Sequence, residues 1–328
     1  MKTAAKFLTL LLLSLAALLL AVGLGSVAIA PAQLWGILQG DPTLDTLSSI
    51  LFQIRMPRAL LAFVVGGALS VSGVLMQSVL RNPLASSFTL GISSGAAVGA
   101  GVAVLCGASF AGIFTMPLFG LGFGLLTVFL AVWLASKLDK NLGNTTIILT
   151  GMAFSMFANA MITFLMALSR ENALRVVYWQ MGSFAMKSWR ELLVLFPVTL
   201  LCSLFVLRYS SEMDLMTFGE EQAQSSGVDI VRVKWTLLGV GAALTGVAVS
   251  LVGVIGFVDL FTPHVARKIF GSRHRVVLPA AALLGGIFMT LCDLLSRTLV
   301  SPIELPVGAV TAALGAPFFI YLYFNRKR

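Results

Sequence analysis

The stretch "RMPRALLAFVVGGALSVSGVLMQSVLRNPLASSFTLGISSGA" runs from Arg55 to Ala96. Two arginines flank Pro57, and no charge follows from Ala59 to Leu80. A bilayer-crossing helix needs about 20 apolar residues, so this run is long enough to span. Pro57 suits the first turn of a helix, where its missing N–H is no loss. Gly66, Ser70 and Gly73 repeat at helical spacing and would let a neighbouring backbone approach closely. Arg81-Asn82-Pro83 ends the run, and a second apolar run begins at Leu90. In it, Gly91, Gly95 and Gly99 line one face in the same way.

The rest of the chain has the same character. Of 328 residues, 58% are hydrophobic and 11% charged, against about 25% charged in a soluble domain. Such a chain cannot cover a water-facing surface, which points to a polytopic membrane protein. The formal charge of +9 is explained by basic loops retained in the cytoplasm, without nucleic acid. Cys106, Cys202 and Cys292 are far apart in apolar runs and read as small packing residues, not as a disulfide framework or a zinc site. The first apolar run, Phe7–Ala30, follows Lys2 and Lys6. "AIA" at Ala28–Ala30 resembles a signal-peptidase site, but a signal core is only about 7–15 residues long, so a retained first helix is expected.

Apolar runs predict an all-α chain with ten spans: Phe7–Ala30, Pro57–Leu80, Leu90–Cys106, Phe114–Ser136, Thr146–Leu168, Leu192–Leu207, Trp235–Ile255, Phe257–Ile269, Val276–Leu299 and Val307–Phe324. The eighth is short, contains Pro263, and reads as a partial helix covered by its neighbours. With the N-terminus inside, 15 of the 22 Lys and Arg residues fall on the inner side, Arg326, Lys327 and Arg328 among them, and 7 on the outer. That bias places both termini in the cytoplasm. "GGALS" (Gly66–Ser70) and "GAALT" (Gly241–Thr245) lie in spans of opposite direction, the pattern of an inverted repeat.

Chemistry is sparse. "GSFAMKS" (Gly182–Ser188) has Met186 where a phosphate-binding loop needs glycine before its lysine; it reads as an interfacial loop beside Tyr178, Trp179 and Trp189. His264 and His274 lie ten residues apart with no carboxylate pattern around them. His264 reads as a packing residue or a donor to a freed carbonyl, and His274, in "GSRHR", as a solvated turn residue. Asp259 and Asp293 are acids at or near the membrane, candidates for function because a lone charge there is costly. Asp293 has Arg297 four positions on, a spacing that pairs them on one helix face. No chain of acids or histidines crosses the spans, which counts against a proton-driven carrier. No metal site, cofactor site or catalytic cluster is expected.

Between the sixth and seventh runs the chain turns polar. "GEEQAQSSGV" (Gly219–Val228) has helix formers bracketed by Gly219 and Gly227, with Glu220 and Glu221 in the first turn, where the helix dipole favours negative charge. A short exposed helix is marginal in water, so it needs packing support.

Several segments resemble one family. Arg55–Ala96 is similar to the first signature of the FecCD-type permeases, the membrane subunits of ABC importers for iron–siderophore, haem and vitamin B12. "GVIGFVDLFTPHVARKIFGSRHRVVLPAAALLGG" (Gly253–Gly286) resembles their second signature, and "DLLSRTLVSPIELPVGAVTAALGAPFFIYLYFNRKR" (Asp293–Arg328) their C-terminus. The match covers nearly the whole chain from Arg55 onward. Asp259 departs from it, since a small residue, often glycine, is expected there.

The resemblance implies a type II ABC importer permease fold: one transmembrane domain, here residues 1–328, of ten spans. It implies a dimer, here read as a homodimer, with two ATP-binding cassette subunits on the cytoplasmic side of a bacterial inner membrane. A periplasmic or lipoprotein binding protein delivers the substrate, and membrane lipid surrounds the whole. Residues 215–230 are expected to be the coupling helices, with Gly219, Glu220, Glu221, Gln222, Ala223, Ser226, Gly227 and Val228 at the ATPase. A cytoplasmic gate is expected at the turn carrying Asn144, Thr145 and Thr146, small polar residues that close a pore without holding a chelate. Arg55, Arg58 and Arg297 are expected to face outward and meet glutamates of the binding protein. The alternative for those arginines is lipid-headgroup contact, or pairing with Asp293 and Glu304. The expected cargo is a metal chelate, first an iron–siderophore, then haem or cobalamin. The rival readings are an oxyanion importer, as for molybdate, and an ion-coupled secondary transporter.

Overall fold

The computed structural model describes residues 2–25, 29–168 and 170–324, and among these the chain is helical with no strand. Ala28, Arg326, Lys327 and Arg328, which entered the sequence reading, lie outside the described residues. In chain order the helices are α1 (Lys2–Gly23), α2 (Pro31–Leu38), α3 (Asp45–Ser49), α4 (Met56–Val79), α5 (Ile92–Leu105), α6 (Thr115–Leu138), α7 (Asn144–Leu168), α8 (Arg170–Gln180), α9 (Trp189–Leu207), α10 (Ser210–Phe218), α11 (Glu220–Ser225), α12 (Ile230–Val252), α13 (Val258–Phe270), α14 (His274–Thr298) and α15 (Val307–Phe324).

Each of the ten apolar runs falls on a helix. Among the described residues, seven segments are long and apolar enough to cross a membrane, carrying α1, α4, α6, α7, α9, α12 and α14; α5 and α15 are shorter apolar helices. The eighth run is α13, with 13 residues. Two connections hold more structure than the sequence suggested. α2, α3 and a π-helical turn (Ile50–Arg55) lead into α4, and α8 lies between α7 and α9.

The stretch Arg55–Ala96 supplies the axis of the bundle. α4 is buried along nearly its whole length, as an all-round apolar helix should be. α1, α9, α12, α13 and α14 pack around it. Its small residues set how closely they come. A Cβ at Gly66 would overlap the carbonyl oxygen of Gly285 on α14, and one at Gly73 would overlap the carbonyl oxygen of Asp259 on α13. Buried hydroxyls then bond between helices. Ser72 donates to the Gly241 carbonyl (2.9 Å) and accepts from Thr245 (2.8 Å), while Thr262 donates to Ser70 (2.6 Å). In lipid, where apolar burial drives little helix association, such close packing and bonding hold the bundle together.

Gly73→Ala is therefore expected to destabilise the detergent-purified chain by at least about 1–3 kcal/mol, because the clash is with backbone that cannot rotate away. Gly122→Ala, where a Cβ meets nothing within 4 Å, is the control. Equal thermal unfolding of the two variants would contradict this packing.

The inverted repeat is visible in the packing. α4 packs on α14 as α12 packs on α6, and α5 packs on α6 as α13 packs on α14. Likewise α4 meets α13 as α12 meets α5, and α6 meets α7 as α14 meets α15. α4 and α12 cross antiparallel, with Met76 beside Gly241 and Ser72 reaching Thr245, so the two halves run in opposite senses. The two quintets lie on these paired helices but in different contacts: Gly66 meets α14, whereas Gly241 meets α4.

Candidate functional site

The polar interruption folds as an elbow. α10 and α11 meet at Gly219, whose φ of +140° is a conformation L side chains rarely adopt. Met213 and Met216 bury α10 against the bundle, and Ala223 buries α11. Glu221, Gln222, Gln224 and Ser226 face outward. Gly227 (φ +88°) turns the chain into Val228 and Asp229, and Asp229 caps α12 by accepting from the Arg232 N–H. Phe218 stands at the elbow 74% exposed.

Two buried networks fix the elbow to the spans. The first centres on Lys234, in the second turn of α12 and 0% exposed. Its ammonium donates to the Leu142 carbonyl (2.7 Å), Asn144 Oδ1 (2.9 Å) and Glu220 Oε2 (2.8 Å). The turn between α6 and α7 is shaped for this. Asp139 accepts from the Asn141 and Gly143 N–H groups, which hold its carboxyl below the usual carboxylate range. Leu142, at φ +50°, then presents its carbonyl to Lys234. One cation thus joins α11, α12 and the α6–α7 turn. Thr145 is exposed and Thr146 half-buried beside this knot.

The second network corrects the reading of His274 as a solvated residue: it is 1% exposed. Its Nδ1 lies 2.6 Å from Asp214 on α10 and its Nε2 2.6 Å from Ser78 on α4. Arg267 of α13 donates to Ser78 and to Gln77. α10 is thereby tied to α4, α13 and α14.

At the opposite end, Arg55, Arg58 and Arg297 do come together, but they turn inward, 5%, 8% and 9% exposed. The expectation of three outward-facing guanidinium groups is corrected by a physical demand. The last carbonyls of α1 have no intrahelical donor, and none can stay unbonded at membrane depth. Arg55 donates to Val22 and Gly23, and Arg297 to Ala21. Arg58 grips Asp293 (2.9 Å) and Glu304 (2.8 Å). Arg297 also sits 3.5 Å from Asp293, the pair foreseen from their spacing. Pairing with Asp293 and Glu304, one of the three uses open to these arginines, is the one realised for Arg58.

Asp259 is 1% exposed. Its Oδ2 accepts from the N–H (2.9 Å) and hydroxyl (2.5 Å) of Ser87, in the segment between α4 and α5. That carboxyl pins the segment to α13.

Lys234, Asp214 and Ser78 were not singled out from sequence. The available signal was Lys234 itself, a lysine directly at the start of an apolar run and costly to bury there without partners.

A profile of the FecCD transport family matches residues 11–325. The cobalamin import system permease protein BtuC of Halobacterium salinarum is 38% identical over 283 residues, 86% of this chain and 75% of that one. The molybdate import system permease protein MolB of Haemophilus influenzae is 35% identical over 327 residues, 98% of this chain and 95% of that one. Among solved structures, an ABC transporter of the metal-chelate type in an inward-facing conformation superposes with a TM-score of 0.89, at 31% identity, over 98% of this chain and 99% of that one.

Proposed function

This chain belongs to the FecCD transport family, and on that premise we propose how its two ends divide the work of an ABC importer permease. It is a multi-pass membrane protein with the type II importer permease fold. The elbow of α10 and α11 is the docking point for the ATP-binding cassette subunits, one per permease in a homodimer, and faces the cytoplasm together with both termini. The observation that carries this reading is the elbow itself: a polar helix with an exposed Phe218, held to the spans by buried charge networks. An apolar side chain so exposed at the end of a membrane bundle suits a partner's groove, and the networks let the elbow move as one body with the spans.

Asn144, Thr145 and Thr146 form the cytoplasmic gate, and Lys234 links it to α11. At the other end a substrate-binding protein docks on the surface around the arginine cluster, which supports that surface from beneath. The cargo is a metal chelate, an iron–siderophore first. An oxyanion is the second reading, favoured by the near full-length match to a molybdate permease. ATP hydrolysis belongs to the cassette subunits.

Glu221→Arg, on the outward face of α11, tests the docking. The variant is expected to fold normally and to lose transport and substrate-stimulated ATP hydrolysis in proteoliposomes, by about tenfold or more, the effect of ~1.4 kcal/mol at the contact. Full ATP-driven transport by it would refute the elbow assignment. Uptake without ATP in the wild type would favour an ion-coupled carrier instead.

A further inference from the structure

We propose that the chain carries a binding site for one anionic phospholipid, in the leaflet on the α11 side. α9 and α14 stand apart over α4, leaving a groove of about 400 Å³. Phe63, Gly67, Leu200, Leu204, Leu278 and Ala282 line it, and it exposes carbon only. A second hollow, of about 760 Å³, is lined by Arg208, Arg273 and Arg275. Leu207 belongs to both.

The dimensions suit a lipid. From Phe196 to Leu207 α9 rises about 17 Å at 1.5 Å per residue, close to half of a hydrocarbon core about 30 Å thick. One acyl chain would lie along the groove and its phosphate would meet the arginines one residue beyond the end of α9. The arginines have charge to give. Among the described residues, none of the ion pairs involves Arg208, Arg273 or Arg275. The one acid in the hollow, Asp214, already accepts from the His274 N–H and faces its Nδ1. Basic pockets at the cytoplasmic ends of helices hold acidic headgroups. A protein partner would account for the arginines but not for an apolar groove that shares Leu207 with their hollow. Lipid there would brace α9 against α14, next to the point where Asp214 anchors the elbow.

The test is native mass spectrometry of the full chain in detergent, with added phosphatidylglycerol or phosphatidylcholine of identical chains. Three arginines near the surface should favour phosphatidylglycerol by on the order of ten- to a hundredfold. The triple variant Arg208→Gln/Arg273→Gln/Arg275→Gln should bind both lipids alike, with unchanged thermal unfolding, since these side chains are exposed. Ser203→Phe, which fills the groove, should weaken both lipids. Equal retention of the two lipids by the wild type overturns the site, and so does an undiminished preference in the triple variant. Displacement of phosphatidylglycerol by inorganic phosphate alone would show an anion site with no acyl groove. Loss of cassette-subunit binding by the triple variant in lipid-free detergent would assign the arginines to that partner instead.

Discussion

Lys234→Met is expected to uncouple the permease: ATP hydrolysis by the assembled complex persists while transport falls at least about tenfold, equivalent to ~1.4 kcal/mol or more of lost coupling. Methionine approximates the lysine stem without its charge. It removes three hydrogen bonds at once, to Leu142, Asn144 and Glu220. Bonds to a charged group contribute roughly 1.5–3 kcal/mol each, but Glu220 is partly exposed and recovers water when released. The net cost to stability is therefore put at about 2–4 kcal/mol, below the full penalty of a stranded buried charge. The larger effect is mechanical. Without the ammonium, α11 and the α6–α7 turn keep no other side-chain bond to each other among the described residues. The direct readout is a cysteine at the gate. Thr145→Cys should cross-link to its twin across the proposed homodimer in one nucleotide state only. With Lys234→Met added, that dependence should vanish. Lys234→Arg should recover part of the transport, since it keeps the charge in a site cut for a smaller head. Wild-type transport with state-dependent cross-linking in Lys234→Met would rule out the link. Absence of cross-linking in every state, with Lys234 intact, would count against the gate rather than the link.

The second expected result lies at the other end. Arg58→Met should destabilise the chain by about 3–5 kcal/mol, the usual cost of breaking a buried pair by removing one partner. Asp293 is 0% exposed and Arg58 is its closest cation. Adding Asp293→Leu should return part of that loss, because coupled neighbours are non-additive by roughly 0.5–3 kcal/mol. Per folded molecule, the affinity for the binding protein and its salt dependence should stay as in the wild type, because the guanidinium faces Asp293 and Glu304. Unfolding at the wild-type temperature, with a sharp loss of binding-protein affinity, would restore Arg58 to a docking role.

The sequence by itself determined the membrane class and the helical fold, the places of the ten apolar runs, and the short polar helix bracketed by Gly219 and Gly227. These follow from local quantities: hydrophobic length, spacing of small residues, and turn chemistry. Gly66 and Gly73 could be read as packing positions because a missing Cβ matters wherever another backbone comes close. Their partners, Gly285 and Asp259, lie far away in the chain, and no periodicity reveals them. The same limit separates the charges. The four-residue spacing disclosed Asp293 with Arg297, since one helix holds both. Arg58 with Asp293, His274 with Asp214, and Lys234 with Asn144 and Glu220 join helices brought together only by folding. Whether an arginine at a helix end faces water or closes a neighbour's carbonyls depends on where that neighbour ends. Only the tertiary structure sets that, because an unbonded carbonyl at membrane depth costs more than turning the arginine inward.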